Sequence, residues 1–189
     1  MSLAKKIGIG VGTAIIVFTL AVLYHIHLDY RFKTISENKV YKSAVIPPDE
    51  IHKYIDRGNI KSVIDLRFGS IQDELNPAGK KEILAEQKAV EAIDGVNYYS
   101  IPSLQIPTEK NLDAFFEVMD NEKNYPVLIH CHHGIGRAAL YSALYRIEYE
   151  NYSNEEARKK TRIPYIFSNF YDGTKKGEWL KKYTKRNSK

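Results

Sequence analysis

The apolar run Val127-Leu128-Ile129 ends in His130-Cys131-His132-His133-Gly134-Ile135-Gly136-Arg137, and Leu140, Ala143, Leu144 and Ile147 follow at helical spacing. That pattern predicts a strand, a tight loop and the start of a helix. A thiol opens the loop and a guanidinium closes it. Loop N–H groups at a helix start can converge on the oxygens of an anion. Arg137 can hold two of those oxygens at once. The helix N-terminus and the arginine both favour thiolate over thiol at Cys131. Cys131 is the only cysteine in the chain, which excludes an internal disulfide and any multi-cysteine metal site.

The rest of the chain supplies strands and helices in alternation. Val40 to Val45 reads as a first strand, and Pro47-Pro48-Asp49 starts a helix through about Ile55 that Gly58 stops. Val63 to Leu66 is a short apolar strand, Phe68 to Asn76 a loop, and Pro77 opens a long helix that ends near Asp94-Gly95. Val96 to Ile101 is the next strand. Thr108 caps a helix with the stripe Leu112, Phe115, Phe116 and Met119. The fold class expected is α/β: a mainly parallel central sheet flanked by helices, the loop between a strand and a helix, plus one N-terminal transmembrane helix. Ligands of such sheets sit beyond the carboxyl ends of the strands, where Cys131 falls.

His-Cys-x-x-Gly-x-x-Arg, carried here by His130, Cys131, Gly134 and Arg137, resembles the signature loop of the cysteine-dependent protein tyrosine and dual-specificity phosphatases. Val40-Tyr41-Lys42-Ser43-Ala44 and Lys61-Ser62-Val63-Ile64-Asp65-Leu66-Arg67 resemble the opening strands of small bacterial members. Ala143 to Arg146 and Asn154 to Ala157 echo the helices after the loop, so the resemblance covers about residues 38 to 160. It implies that Cys131 attacks phosphorus and Arg137 stabilises the phosphoryl group, within a phosphate-binding loop of His132, His133, Gly134, Ile135, Gly136 and Arg137. It also implies that His130 orients the loop. Asp65 and Arg67 end a strand whose carboxyl end faces the pocket; Arg67 either holds a second substrate anion or orients the loop, and a structural ion pair is the alternative reading. No cofactor and no metal are expected, since His132 and His133 lack a third ligand nearby.

Two positions depart from the family pattern. Ala138 stands where the family places a Ser or Thr hydroxyl that stabilises the departing thiolate. The stretch from Ile101 to Thr108, where the family carries its general-acid aspartate, has none. Glu109 is the nearest carboxyl group and the candidate acid, at a helix start where acids are also common for dipole reasons.

Residues Ile7 to Ile26 form a nearly unbroken apolar run of twenty, about 30 Å as a helix, which matches a bilayer core. Lys5 and Lys6 precede it, and no small-x-small cleavage site follows, so an uncleaved signal anchor is expected. The domains read as an anchor over 1–26, a polar juxtamembrane linker over 27–37, and a phosphatase-like domain with a basic tail over 38–189. The localisation expected is a bacterial inner membrane, single pass, with the soluble domain in the periplasm, although the basic residues on both flanks leave orientation finely balanced. The basic tail from Lys175 reads as a solvated helix with a frayed end. Partners expected are a phosphorylated protein or small phosphomonoester and the membrane, with no nucleic acid. The function expected is phosphomonoester hydrolysis through a phosphocysteine. The alternatives are a pseudophosphatase that binds a phosphorylated partner, or a sulfurtransferase or arsenate-reducing enzyme.

Overall fold

A computed structural model of the chain describes residues 2–69, 79–161 and 169–186. Five strands make one sheet in the spatial order β1-β2-β5-β3-β4, with β1 at Lys33–Ser36, β2 at Val40–Ser43, β3 at Ser62–Asp65, β4 at Asn97–Ser100 and β5 at Val127–His130. β1 runs antiparallel to β2, and the other pairings are parallel. β5 is central, with Ser43 and Asp65 in register with His130 on either side. Three parallel strands therefore end together at the residue before Cys131.

Alternation along the strands sorts the side chains into two cores. Ile64, Val127 and Ile129 pack with α4 (Glu109–Met119) and α5 (Arg137–Tyr149), in a cluster that also holds Cys131. Val63 and Leu128 face the other way, with α2 (Ile51–Gly58) and Val90 of α3 (Lys80–Glu91). Since successive strand residues point to opposite faces, Asp65 and His130 turn toward α3 while Cys131 returns to the α5 side.

As expected, the Thr108 side chain caps α4 by accepting from the Asn111 N–H. Other expectations are corrected. α3 ends at Glu91, short of the expected stop near Asp94-Gly95, and Gly95 turns the chain before β4 at a φ of +75°. α2 begins at Ile51 rather than at the prolines, and Asn59, in the left-handed conformation, closes it one residue beyond Gly58. The loop expected at Phe68 to Asn76 and the helix start at Pro77 fall largely outside the described residues. The segment 27–37 is no free linker: Lys33–Ser36 adds strand β1 to the sheet edge, Phe32 is buried against Tyr41 and Tyr54, and the Ala44 N–H donates to the Tyr30 carbonyl. α5 is not one-sided, for every residue from Arg137 to Ile147 is buried. Ala138, Ala139 and Ala143 let neighbouring elements approach it from all sides.

The basic tail is also built in. α6 (Asn154–Thr161) is followed by α7 (Lys175–Lys182), whose Leu180 is fully buried in the larger core with Trp179 and Tyr183 packed against it. Asn154 donates to the Lys181 and Tyr183 carbonyls. Arg186 pairs with Asp120 at 2.9 Å and lies over the Phe116 ring at 3.7 Å. Leu180→Ala should therefore destabilise the fold by about 2–5 kcal/mol, the range for emptying a closed core site. Thermal or denaturant unfolding of the full chain in detergent measures it. A solvated tail would give a change within about 0.5 kcal/mol.

Candidate active site

β5 delivers Cys131 into a loop that ends at Gly136, the residue before α5 begins. The cysteine is buried, and the Gly134 N–H donates to its Sγ at 3.3 Å. The loop carbonyls are engaged by groups around its far side. His132 O accepts from the Val45 N–H, His133 O from Arg31, and Gly134 O from the Lys42 amine at 2.9 Å. Holding consecutive carbonyls outward leaves the loop amides free to turn inward, as the Gly134 N–H does.

Gly134 has two reasons to be glycine. Its φ is +68°, a conformation costly to residues with a Cβ. A Cβ there would also stand 2.6 Å from backbone atoms of Ser43 and Ala44 at the end of β2. Gly136 differs: its φ is −104°, and a Cβ would meet the Gln105 and Lys176 side chains at ordinary contact distances.

Arg137 is buried, and its Nη1 donates to the carbonyls of Leu66 at 2.8 Å and Ser103 at 3.1 Å. The segment that supplies Ser103 is itself pinned by Tyr141, whose hydroxyl donates to Ser103 Oγ at 2.9 Å. The guanidinium is thus fixed by main-chain acceptors before any ligand arrives, which reduces the entropy lost on binding. Cys131 and Arg137 line one cleft of about 270 Å³ with Gln105, His133, Ile135, Gly136 and Asn169.

The other residues expected at the site separate into groups. His133 reaches the cleft. His132 does not line it and instead meets the His133 ring edge-on at 4.5 Å. Glu109 is exposed in the first turn of α4, outside the residues that line the cleft. Arg67 does not offer itself to a second anion. It is buried, and its Nη2 donates to Asp65 Oδ2 and to Glu86 Oε2, each at 2.8 Å.

Glu86 of α3, which the sequence did not single out, completes a buried network. Its Oε1 lies 2.7 Å from His130 Nε2, and Asp65 Oδ1 lies 3.7 Å from the same nitrogen. The Tyr98 hydroxyl donates to Asp65 Oδ2 at 2.7 Å. The three groups Asp65, Glu86 and His130 converge as metal ligands might, but the Arg67 guanidinium already occupies the space between the two carboxylates. Burial alone would raise the Asp65 carboxyl. The His130 and Arg67 charges and hydrogen bonds outweigh burial and hold it below its usual range. Burial would lower His130, yet Glu86 and Asp65 together raise it. Charge balance points the same way, since two buried carboxylates face one guanidinium until His130 is protonated.

Lys176 was also missed. It is buried on α7, and its Nζ lies 2.6 Å from Gln105 Oε1, beside Gly136 at the cleft. Its lysine-rich surroundings in the sequence concealed that one member of the run turns inward.

A cysteine at the end of a central parallel strand, a glycine-bent loop and an arginine opening the next helix define the class of cysteine-dependent phosphatases. The comparisons agree. Residues 22–170 match the family model described as a DSP-PTPase phosphatase fused to NAD+ kinase, and the chain belongs to that family. No curated protein matches the chain by sequence. The fold is similar to the core catalytic domain of the PP-IP phosphatase SIW14 from S. cerevisiae, with a TM-score of 0.58 and 16% identity, covering 81% of this chain and 85% of that one. It is equally similar to P. aeruginosa TpbA, at 0.58 and 17% identity over 82% and 85%. A phosphatase-like DUF442 protein from Shewanella putrefaciens follows at 0.54 and 22%, over 79% and 87%.

The network makes stability depend on pH with a defined sign. The folded value of His130 is raised above its unfolded value of about 6.5. Its contribution is complete below that unfolded value and is lost as pH rises through the folded one. The unfolding midpoint of the wild type should fall more steeply above about pH 6.5 than that of His130→Asn. Parallel curves for the two proteins would mean that His130 is neutral throughout.

Proposed function

We propose that the chain is a membrane-anchored phosphatase that hydrolyses phosphomonoesters, phosphorylated protein side chains foremost, through a phosphocysteine at Cys131. The observation that carries this reading is the shared cleft. Cys131 Sγ accepts an amide N–H, and a guanidinium fixed by two carbonyls lines the same space. One of the similar structures is TpbA in complex with pTyr, a ligand of the class proposed.

In the first step Cys131 Sγ attacks phosphorus, an S–P bond forms, and the ester P–O bond breaks with its electron pair leaving on oxygen. Amides of His132 to Gly136 and the Arg137 guanidinium hold the equatorial oxygens as charge shifts among them. In the second step water attacks phosphorus, the S–P bond breaks, and inorganic phosphate leaves as the thiolate returns. His130, Asp65, Arg67 and Glu86 position the loop without touching the phosphoryl group.

Both steps lack a helper that the family usually supplies. Ala138 has no hydroxyl for the departing thiolate, and Ser142 Oγ, one turn further along the helix, donates to the Ala138 carbonyl. No aspartate occurs in the stretch 101–108, and Glu109 remains the candidate acid only if the segment moves on substrate binding. Aryl phosphates, which leave without a proton, should react readily at the first step and slowly at the second. Rapid mixing of the full chain with an aryl phosphate should release a burst of phenol close to the enzyme concentration, followed by slow turnover. Cys131→Ser should abolish both phases. Arg137→Ala should weaken vanadate binding by about 1.5–3 kcal/mol. Ala138→Ser should speed the slow phase alone. Oxyanion binding with neither burst nor turnover would favour the second reading, a pseudophosphatase, which the absent hydroxyl and aspartate support.

The anchor is α1 (Leu3–His27), a helix long and apolar enough to cross a membrane, with its apolar side chains exposed. We assign the remainder of the chain to one phosphatase domain on the periplasmic side of a bacterial inner membrane. A reporter active only outside the cytoplasm, fused after Lys189, should be active and should sediment with membranes. Activity from a cytoplasmic reporter instead would reverse the orientation.

A further inference from the structure

A larger cavity, of about 430 Å³, adjoins the Cys131 cleft, and Ile135 lines both. Its walls bring together Arg31, Lys33, Lys42, Arg146 and Lys160, and among the described residues no carboxylate lines it. The hydrogen bonds of these cations go to backbone carbonyls: Arg31 to His133, Lys42 to Gly134, and Arg146 to Ile35. Backbone carbonyls carry no net charge, so five like charges are gathered without a carboxylate among the cavity walls to neutralise them. Lys42 feels both its burial and these neighbours, against the opposing charge of Cys131. Burial first, and then Lys33 with Arg31 and Arg146, push its amine down to about 8.

Two further features narrow what would settle there. The cavity is far larger than one small ion needs, given that a water molecule takes about 30 Å³. Its remaining wall is apolar, with Ile35 and Ala139 from the domain and Val22 and Ile26 from the last turns of α1. A cationic hollow with an apolar flank, at the domain end of a membrane helix, matches a phosphate ester that carries its own hydrocarbon.

We propose that this cavity binds the phosphate headgroup of an anionic phospholipid at the membrane surface. The inference rests on the reading of α1 as a membrane anchor, which puts Val22 and Ile26 at the boundary between acyl chains and headgroups. The headgroup phosphate is held by Arg31, Lys33, Lys42, Arg146 and Lys160, and the glycerol and upper acyl chain lie along the apolar wall. Lys42 and Arg31 are shared between this site and the loop carbonyls, so the lipid seats the domain on the bilayer through the same residues that brace the Cys131 loop. The two sites differ in the cations that line them: Arg137 lines the Cys131 cleft, and none of the five cations of this cavity does.

Native mass spectrometry of the full chain in detergent, titrated with phosphatidylglycerol or phosphatidylcholine, tests the assignment. Phosphatidylglycerol should be retained at least about tenfold more tightly, as expected for a lipid phosphate held by several basic residues. Lys33→Glu with Lys160→Glu, two exposed positions outside the catalytic loop, should abolish that preference and leave lipid-free turnover of an aryl phosphate unchanged. Equal retention of the two lipids, or a preference that survives the double reversal, would overturn the proposal. A soluble-ester arm uses glycerol 3-phosphate in the Arg137→Ala background, where the Cys131 cleft is weakened. Binding of that ester that the double reversal removes, without a lipid preference, would assign the cavity to a soluble ligand and overturn the lipid. The anchor reading fails separately. A chain that washes from membranes in carbonate but still prefers phosphatidylglycerol loses its anchor and keeps its lipid site.

Discussion

Beneath the Cys131 loop, two carboxylates, a guanidinium and an imidazole share a dry space between the sheet and α3. Asp65 ends β3, His130 ends β5, Arg67 lies two residues beyond Asp65, and Glu86 comes from the helix. Removing any one would leave a buried charge without its partner, a loss far larger than that of an exposed pair. The network therefore holds the ends of two parallel strands in one position relative to α3. Cys131 follows immediately, so its place in the molecule is fixed by charges that do not line the cleft.

The loop depends on that base and on two further constraints. β2 closes against Gly134 so tightly that a side chain there would collide with its backbone. Leu66 and Ser103, at the carboxyl ends of β3 and just beyond β4, supply the carbonyls that hold Arg137. Each of the three parallel neighbours of the site thus contributes backbone rather than a reactive side chain. This division suits a phosphate-binding loop, whose chemistry needs amides and one cation in fixed places. The aligned strand ends supply them more rigidly than long side chains would.

The domain also ties itself to the helix that precedes it. Tyr54 donates to the Leu28 carbonyl and Arg57 pairs with Asp29 at 2.6 Å, while Phe32 enters the smaller core. Arg31 then reaches from this junction to a loop carbonyl. The segment that joins α1 to the sheet is therefore part of the scaffold. One hydrogen bond thus links the junction to the carbonyl of His133, two residues from the cysteine.

Local chemistry was legible in the sequence where a short stretch determines it. The strand, cysteine, glycines and arginine of residues 127–137 lie within eleven positions. Strand periodicity, turn chemistry and helix start therefore identified the loop, and the family resemblance agreed with the family match. The apolar run of α1 and the Thr108 cap were legible for the same reason. What the tertiary structure decided is every pairing across distance. Glu86 looks like any acid on a charged helix until α3 is laid against β5. Lys176 and Leu180 look like parts of a basic tail until α7 packs on α6, and Lys33 looks like linker until β1 joins the edge of the sheet. Arg67 had several readings from sequence, a structural ion pair among them, and only the arrival of a second carboxylate selected it. A sequence records which groups a chain owns; which charges become neighbours depends on how the sheet and helices close, because burial and pairing are properties of the assembled whole.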